Sequence, residues 1–275
     1  MPLGKRIYKD KNWEGVFIMR TYLKKLGSAS IIAMAAVAVS PAMAGEHGVT
    51  GADYANGKNI FENGKGDVPA CTSCHGAAGL GDDNMGTPRL SGQIYQFVAK
   101  QLDDFANDRR MDTTMYVMNA NAKGLTPQDR KDVAAYVNAL EGNVFMGKHL
   151  QETSGGSDLA ALKENGVELG QAHLGKAIVN YGDVARHIPA CLSCHSFNGR
   201  GVEPMYPRIG EQKFVYIVNQ LKKFREGSRT NDPMAQMRKV AKQLTDEDIL
   251  NVATYLTKAP RTTMGNSRIP AEHLP

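Results

Sequence analysis

Two pentapeptides of one pattern, Cys71-Thr72-Ser73-Cys74-His75 and Cys191-Leu192-Ser193-Cys194-His195, hold all four cysteines of the 275-residue chain and lie 120 residues apart. Cys-x-x-Cys-His is the attachment pattern of c-type haem. Each thiol adds to a haem vinyl group as a thioether, and the adjacent imidazole is held where a ring nitrogen reaches the iron. Two intervening residues let one tight turn present both sulfurs to one porphyrin edge. A zinc site and a redox dithiol are the competing uses of such cysteines. Zinc needs ligands gathered in a joint constellation, and a dithiol has no use for the trailing histidine or for a second copy. The expected cofactors are two covalently attached haem c groups. One is held by Cys71 and Cys74 with His75 on the iron, the other by Cys191 and Cys194 with His195.

The elements that position these motifs recur with them. Residues 57–140 match 175–259 at a nearly constant offset. Pro69-Ala70 and Pro189-Ala190 precede the first cysteine of each copy, and Gly79, Gly81 and Met85 match Gly199, Gly201 and Met205. Pro88-Arg89-Leu90 then meets Pro207-Arg208-Ile209, and Gln93 meets Gln212. Gln101-Leu102, Phe105 and Arg110 match Gln220-Leu221, Phe224 and Arg229, with Met115 and Met118 against Met234 and Met237. A repeat of this length marks a duplication into two small domains. Each copy reads as three helices. The first lies near 53–63 and 168–181. The middle one, near 92–106 and 211–225, spaces Ile94, Phe97, Val98, Leu102 and Phe105 for one apolar face. The last begins after Thr126 or Thr245 as N-cap, with Pro127 and Asp129, or Asp246 and Asp248, in its first turn. Its apolar stripe is Val133, Tyr136, Val137 and Leu140, echoed by Ile249, Val252, Tyr255 and Leu256. No segment alternates as a sheet strand does, so the expected fold is all-α: two tandem haem domains at 45–142 and 169–260, related by internal duplication. A connector spans 143–168, flexible in composition at 152–157, and 261–275 forms a tail.

Residues 1–44 read as an export leader. Arg20, Lys24 and Lys25 form a basic region, 31–39 is a short apolar run, and Ala42-Met43-Ala44 fits a cleavage site, with Met19 the expected start. The run is shorter than the ~20 residues of a membrane span. Cleavage near Ala44 would deliver the chain to the periplasm, where covalent haem attachment takes place. The formal charge of +5 comes from 33 Lys and Arg against 28 Asp and Glu, and the leader holds seven of the former and two of the latter. The remainder carries 26 of each sign, which removes the nucleic-acid reading of the basic total. The halves differ: 45–142 has 9 basic and 13 acidic residues, and 143–275 has 17 and 13. Lys222-Lys223, Arg225, Arg229, Arg238-Lys239 and Lys242 stand against Asp82-Asp83 and Asp103-Asp104. This predicts a dipolar molecule with salt-sensitive association.

A haem with one histidine ligand has a sixth position whose occupant decides its chemistry. Paired candidates are Met85 with Met205, Met115 with Met234, and Met118 with Met237, and any methionine can instead be core filler. From the leader's end to about Lys258 the chain resembles the di-haem cytochrome c4 family. The likeness is carried by the paired haem motifs, Pro-Arg-Leu/Ile followed by Gln93 or Gln212, the Gln-Leu-x-x-Phe helix, and a methionine before a Leu-Thr-capped final helix. The resemblance implies tandem class I cytochrome c domains with Met118 and Met237 on the irons, and Met115 and Met234 as the alternatives one turn away. It implies further that the Pro88 and Pro207 carbonyls accept the Nδ1 protons of His75 and His195. Arg89 and Arg208 then follow as partners of haem propionates or as solvated surface residues. Met85 and Met205 read as packing residues, and His47, His149, His173, His187 and His273, which lack repeat partners, as surface residues.

The resemblance implies an electron-transfer protein and no enzyme: a carrier between respiratory donors and a terminal oxidase or reductase. Its redox partners would be a membrane oxidase or reductase and a quinol-oxidising complex or dehydrogenase, with room for peripheral membrane association. The alternative is a cytochrome subunit held by a dehydrogenase, as in flavocytochromes. A di-haem peroxidase needs an openable iron and acid–base groups beside it, and no distal histidine recurs in the repeat.

Overall fold

The computed structural model describes residues 51–112, 116–140 and 156–261. The expected leader, Met115, the stretch 141–155 and the tail beyond 261 lie outside the described residues. In the first half the elements are α1 (Tyr54–Asn63), α2 (Thr72–His75), α3 (Tyr95–Ala106), α4 (Val117–Lys123) and α5 (Pro127–Ala139). In the second they are α6 (Leu159–Glu164), α7 (Ala172–Tyr181), α8 (Leu192–His195), α9 (Phe214–Glu226), α10 (Gln236–Ala241) and α11 (Asp246–Leu256). Two short 3-10 turns, Phe197–Gly199 and Pro233–Ala235, complete it. Extended backbone among the described residues amounts to isolated bridges such as Lys65 with Val68 and Asp183 with Ile188.

The final helices begin as the sequence predicts. Thr126 and Thr245 each accept from the amide three residues on, and Asp129 and Asp248 bond back to the capping residue's amide. Such a reciprocal box satisfies two amides that the helix itself leaves unpaired. Each final helix is crossed by the helix that precedes the haem motif of its half, α5 by α1 and α11 by α7. At Gly57 an added Cβ would stand 2.0 Å from the Asp132 carbonyl oxygen, and at Gly175 1.9 Å from that of Asn251. Only a residue without Cβ lets the two backbones approach so closely. The crossings bury Ile60 and Phe61 in one half, Ile178 and Val179 in the other. Each of these fully buried side chains is worth roughly 1.5–3 kcal/mol of removal from water.

Two features go beyond the three-helix expectation. The described part of the 143–168 stretch includes α6, which Asp158 caps through the amides of Ala160 and Ala161, and Leu162 packs it into the second core. Ser157 is buried and its hydroxyl accepts from the Phe214 amide at 2.7 Å. The halves also share polar contacts. Asp83 accepts from the Val215 amide in the first turn of α9 at 3.0 Å, Lys100 donates to the Asn231 carbonyl at 2.9 Å, and Arg261 donates to the Ser91 carbonyl at 2.9 Å. The described residues of the two halves belong to one compact unit.

Candidate haem sites

The haem motifs form single helical turns. Cys71 and Cys191 stand at the N-cap positions of α2 and α8, with Cys74 and Cys194 inside, so both sulfurs of each pair leave one turn. Ser73 and Ser193 tie each turn back, their hydroxyls donating to the Ala70 and Ala190 carbonyls at 2.6 Å. The following loop is drawn beneath the histidine: Gly81 donates to the His75 carbonyl at 2.9 Å and Gly201 to that of His195 at 2.8 Å. A Cβ at Gly81, where φ is +73°, would lie 2.5 Å from the Pro88 carbonyl carbon. Glycine is therefore what brings this loop against the proline segment.

His75 and His195 are buried. His75 Nδ1 lies 3.1 Å from the Pro88 carbonyl oxygen, and His195 Nδ1 lies 2.8 Å from that of Pro207. The carbonyl can only accept, so Nδ1 carries the proton and Nε2 is the nitrogen left for a metal bond. Burial holds both imidazoles below the ordinary histidine value, against the opposing effect of the carbonyl, so the neutral, ligating form prevails at neutral pH. Burial also pushes the Cys71 and Cys191 thiols up to about 11. Among the described residues no cluster of three or more His, Cys, Asp or Glu side chains is arranged for a metal ion.

Both motifs open on one cavity of about 1250 Å³, larger than the ~300–1,000 Å³ of ordinary ligand pockets. Its walls include Phe61, Val98, Leu102 and Val137 from the first half, and Ile217, Leu221, Val252 and Leu256 from the second. Met118 and Met237 both line it and are half-buried. Their helices are tied down by acidic side chains: Asp112 accepts from the Met118 amide at 3.2 Å, and Asp232 from the Arg238 amide at 3.0 Å. Met234 is 77 % exposed and absent from the lining. Met85 and Met205 also line the cavity, at 52 % and 53 % exposure.

A wide apolar cavity with two thiols and one fixed imidazole at each attachment point fits a haem in each half. Its polar exceptions fit as well. Arg110 and Arg229 are both buried in the lining. Arg110 donates to Gln101 at 2.8 Å, Tyr216 at 3.0 Å and Gln220 at 3.0 Å; Arg229 donates to Gln220 at 2.8 Å and Asn231 at 3.1 Å. Burial, and then the Arg110 charge, pull Arg229 below the ordinary arginine range. Buried cations favour an anionic group such as a propionate. In the sequence this pair shows as matching positions of the repeat, with Arg229 counted in the basic run of the second half; recurrence among apolar neighbours is the signal of a buried role. Arg89, one of whose expected roles was a solvated surface residue, is buried and pairs with Glu211 of the other half at 2.8 Å. The chain folds back on itself there, so a residue that looks peripheral in one half is covered by the second. Arg208 is half-buried, and His173 and His187 are exposed.

Comparison with known proteins agrees with this geometry. The family model described as Cytochrome c matches residues 54–141 and 169–260. The chain is 31 % identical over 211 residues to cytochrome c4 of Pseudomonas aeruginosa, covering 76 % of this chain and 92 % of that protein. It is 33 % identical over 194 residues to the thiosulfate dehydrogenase electron acceptor of Thiomonas intermedia, covering 70 % and 80 %. Among solved structures, thiosulfate dehydrogenase (TsdBA) from Marichromatium purpuratum superposes with a TM-score of 0.63 at 28 % identity. That match covers 76 % of this chain and 41 % of the other, so the present chain corresponds to less than half of that enzyme's length.

Proposed function

The chain belongs to the di-haem cytochrome c4 family, an electron carrier of two tandem cytochrome c domains with two covalently attached haem c groups, and from that premise we propose how its residues hold them and what it serves. Cys71 and Cys74 bind one haem, with His75 and Met118 on its iron. Cys191 and Cys194 bind the other, with His195 and Met237. The observation that supports this reading is the twofold recurrence of one arrangement. In each half a Cys-x-x-Cys turn, a buried imidazole with Nδ1 engaged and a half-buried methionine line the same apolar cavity.

When bound, each haem iron accepts and releases one electron, and a thioether ligand favours its ferrous state. The protein's part is to fix ligands and exclude water. The Pro88 and Pro207 carbonyls set the histidine tautomers and raise ligand basicity. Met118 and Met237 would supply the second protein ligand of each iron and so leave no open position for a substrate. Arg110 and Arg229, with Arg89 and Arg208 at the proline segments, offset the propionate charge. The expected domains are 45–142 and 169–260, and the expected place of work is the periplasm, reached by cleavage near Ala44. Among the described residues no helix is long and apolar enough to cross a membrane.

As redox partners we assign a dehydrogenase as donor and a membrane oxidase or reductase as acceptor. Likeness to proteins named electron acceptors of thiosulfate dehydrogenase favours a sulfur-oxidising dehydrogenase on the donor side. A second reading, a cytochrome module working within a dehydrogenase assembly, is favoured by the match to part of a thiosulfate dehydrogenase chain. Affinity isolation from the native periplasm and membrane, followed by redox titration, separates the two. A free carrier elutes alone and titrates in two one-electron steps; stoichiometric co-elution with a dehydrogenase supports the module.

A further inference from the structure

The peptide group that orients each histidine is gripped by the opposite half of the molecule. Pro88 contributes the carbonyl that accepts from His75 Nδ1, and the N–H of that same peptide unit belongs to Arg89. The Arg89 N–H donates to Gln212 Oε1 at 2.6 Å, and Gln212 Nε2 donates to the Arg89 carbonyl at 3.0 Å. The arrangement repeats with the halves exchanged. The Arg208 N–H, on the peptide whose carbonyl accepts from His195, donates to Gln93 Oε1 at 2.8 Å, and Gln93 Nε2 donates to the Arg208 carbonyl at 2.9 Å. Gln93 and Gln212 are both buried. Each oxygen also accepts from the next amide of its own chain, Ile94 at 3.0 Å or Lys213 at 2.9 Å, which locks the side chain in place.

An amide that donates at one end becomes a stronger acceptor at the other, and the effect is larger away from water. We propose that Gln212 and Gln93 are crossed positioning residues: Gln212 of the second half sets the basicity of His75 on the first haem, and Gln93 of the first half sets that of His195 on the second. The relay runs from Nδ1–H to the proline carbonyl, through the peptide, to the glutamine oxygen of the other domain. A more electron-rich carbonyl draws the Nδ1 proton, makes the imidazole a better donor and favours ferric iron. Each glutamine therefore lowers the potential of the haem it is not attached beside. Docking of the two halves thereby tunes both haems.

The inference rests on His75 and His195 being the axial ligands, so the test measures ligation separately. In the holoprotein, Gln212→Met and Gln93→Met keep side-chain volume and remove the bonds. Redox titration followed through the resolved paramagnetic NMR signals of each haem reports the two potentials individually. Directly bonded outer-shell partners are worth 10–100-fold; one bond further out, about a threefold change in the electron-exchange equilibrium is expected, roughly 28 mV at 59 mV per tenfold for one electron. Gln212→Met should raise the first haem's potential alone, and Gln93→Met the second's alone. A shift in the mutated half's own haem, equal shifts in both, or no shift would overturn the relay. Gln212→Glu and Gln93→Glu retain the oxygen that accepts from the Arg89 or Arg208 N–H and give up only the Nε2 bond to the carbonyl beyond it. The crossed haem should then sit at or below the parent potential, and a rise would contradict the proposal. Absence of the hyperfine-shifted imidazole ring-proton signals of axial histidines from the parent protein's paramagnetic NMR spectrum would overturn the histidine ligation itself. Intact imidazole signals without crossed shifts overturn the relay alone.

Discussion

Replacing Gly57 by alanine sets two effects of opposite sign against each other. By helix propensity alone the change in mid-α1 stabilises by about 1 kcal/mol. The structure predicts the reverse. The new Cβ would stand 2.0 Å from the Asp132 carbonyl oxygen and 2.4 Å from its carbon, and real Cβ contacts essentially never fall under 3.0 Å. The obstruction is the backbone of α5, which has no rotamer by which to yield, so α1 and α5 must separate by ~1 Å. A gap of that size forfeits a quarter to a half of each dispersion contact across the crossing, and Ile60 and Phe61, both fully buried, lie on the helix that moves. Overpacking of this kind costs ~1–3 kcal/mol and occasionally more; with the propensity gain of about 1 kcal/mol subtracted, a net loss of about 1 kcal/mol is expected. At ~4–8 °C per kcal/mol for a domain of this size, the melting midpoint of the first domain should fall by roughly 4–8 °C. Urea and thermal unfolding of the holoprotein, followed by circular dichroism and haem absorbance, measures it. Gly175→Ala should do the same to the second domain, and Lys58→Ala, on the exposed face of α1, should stay within ~0.5 kcal/mol. An unchanged or raised midpoint for Gly57→Ala would refute the close crossing.

Three further outcomes are expected. Burial alone would raise the Asp129 carboxyl, but bonds from Lys65, Thr126 and Asn56 outweigh it and hold the group well below the usual carboxylate range. Its stabilising contribution is therefore complete above the unfolded value of ~3.9 and is lost as pH falls toward the depressed folded value. Asp129→Asn should lower stability at neutral pH and flatten acid unfolding below about pH 4; an identical acid limb in both proteins would contradict this. Replacing Cys71 and Cys74 with serine should drop haem content from two to one per chain, read by pyridine haemochrome assay, and leave the first domain unable to close its cavity; two retained haems would contradict the attachment. Reduction by an anionic partner should slow as ionic strength rises, through exposed residues such as Lys239 and Lys242; a rate indifferent to salt would dismiss steering.

How far the structure could be read from the sequence depended on what each element packs against. Helices α1, α3, α5 and their repeats bury one face in protein, so their apolar spacing and threonine caps were visible. The turns α2 and α8 are too short to show a period. Helices α4 and α10 carry the methionines but line the cavity, so a core stripe never forms on them, and only family resemblance separated Met118 from Met115. The charge pattern was legible as composition and misleading as surface. Asp104 is buried between Lys100, Arg109 and Asn231, Arg229 lies in the cavity wall, and Arg238 is bound to Asp232. Gln93 and Gln212 recurred in the repeat, yet their partners lie more than a hundred residues away, and no local pattern shows such a contact.

The most direct test of two closed His/Met centres is the weak sulfur-to-iron charge-transfer band of the ferric protein. Met118→Leu and Met237→Leu should each halve it while both haems remain attached, and the double variant should abolish it. A full-strength band in both single variants would contradict the ligand assignment on which the account depends.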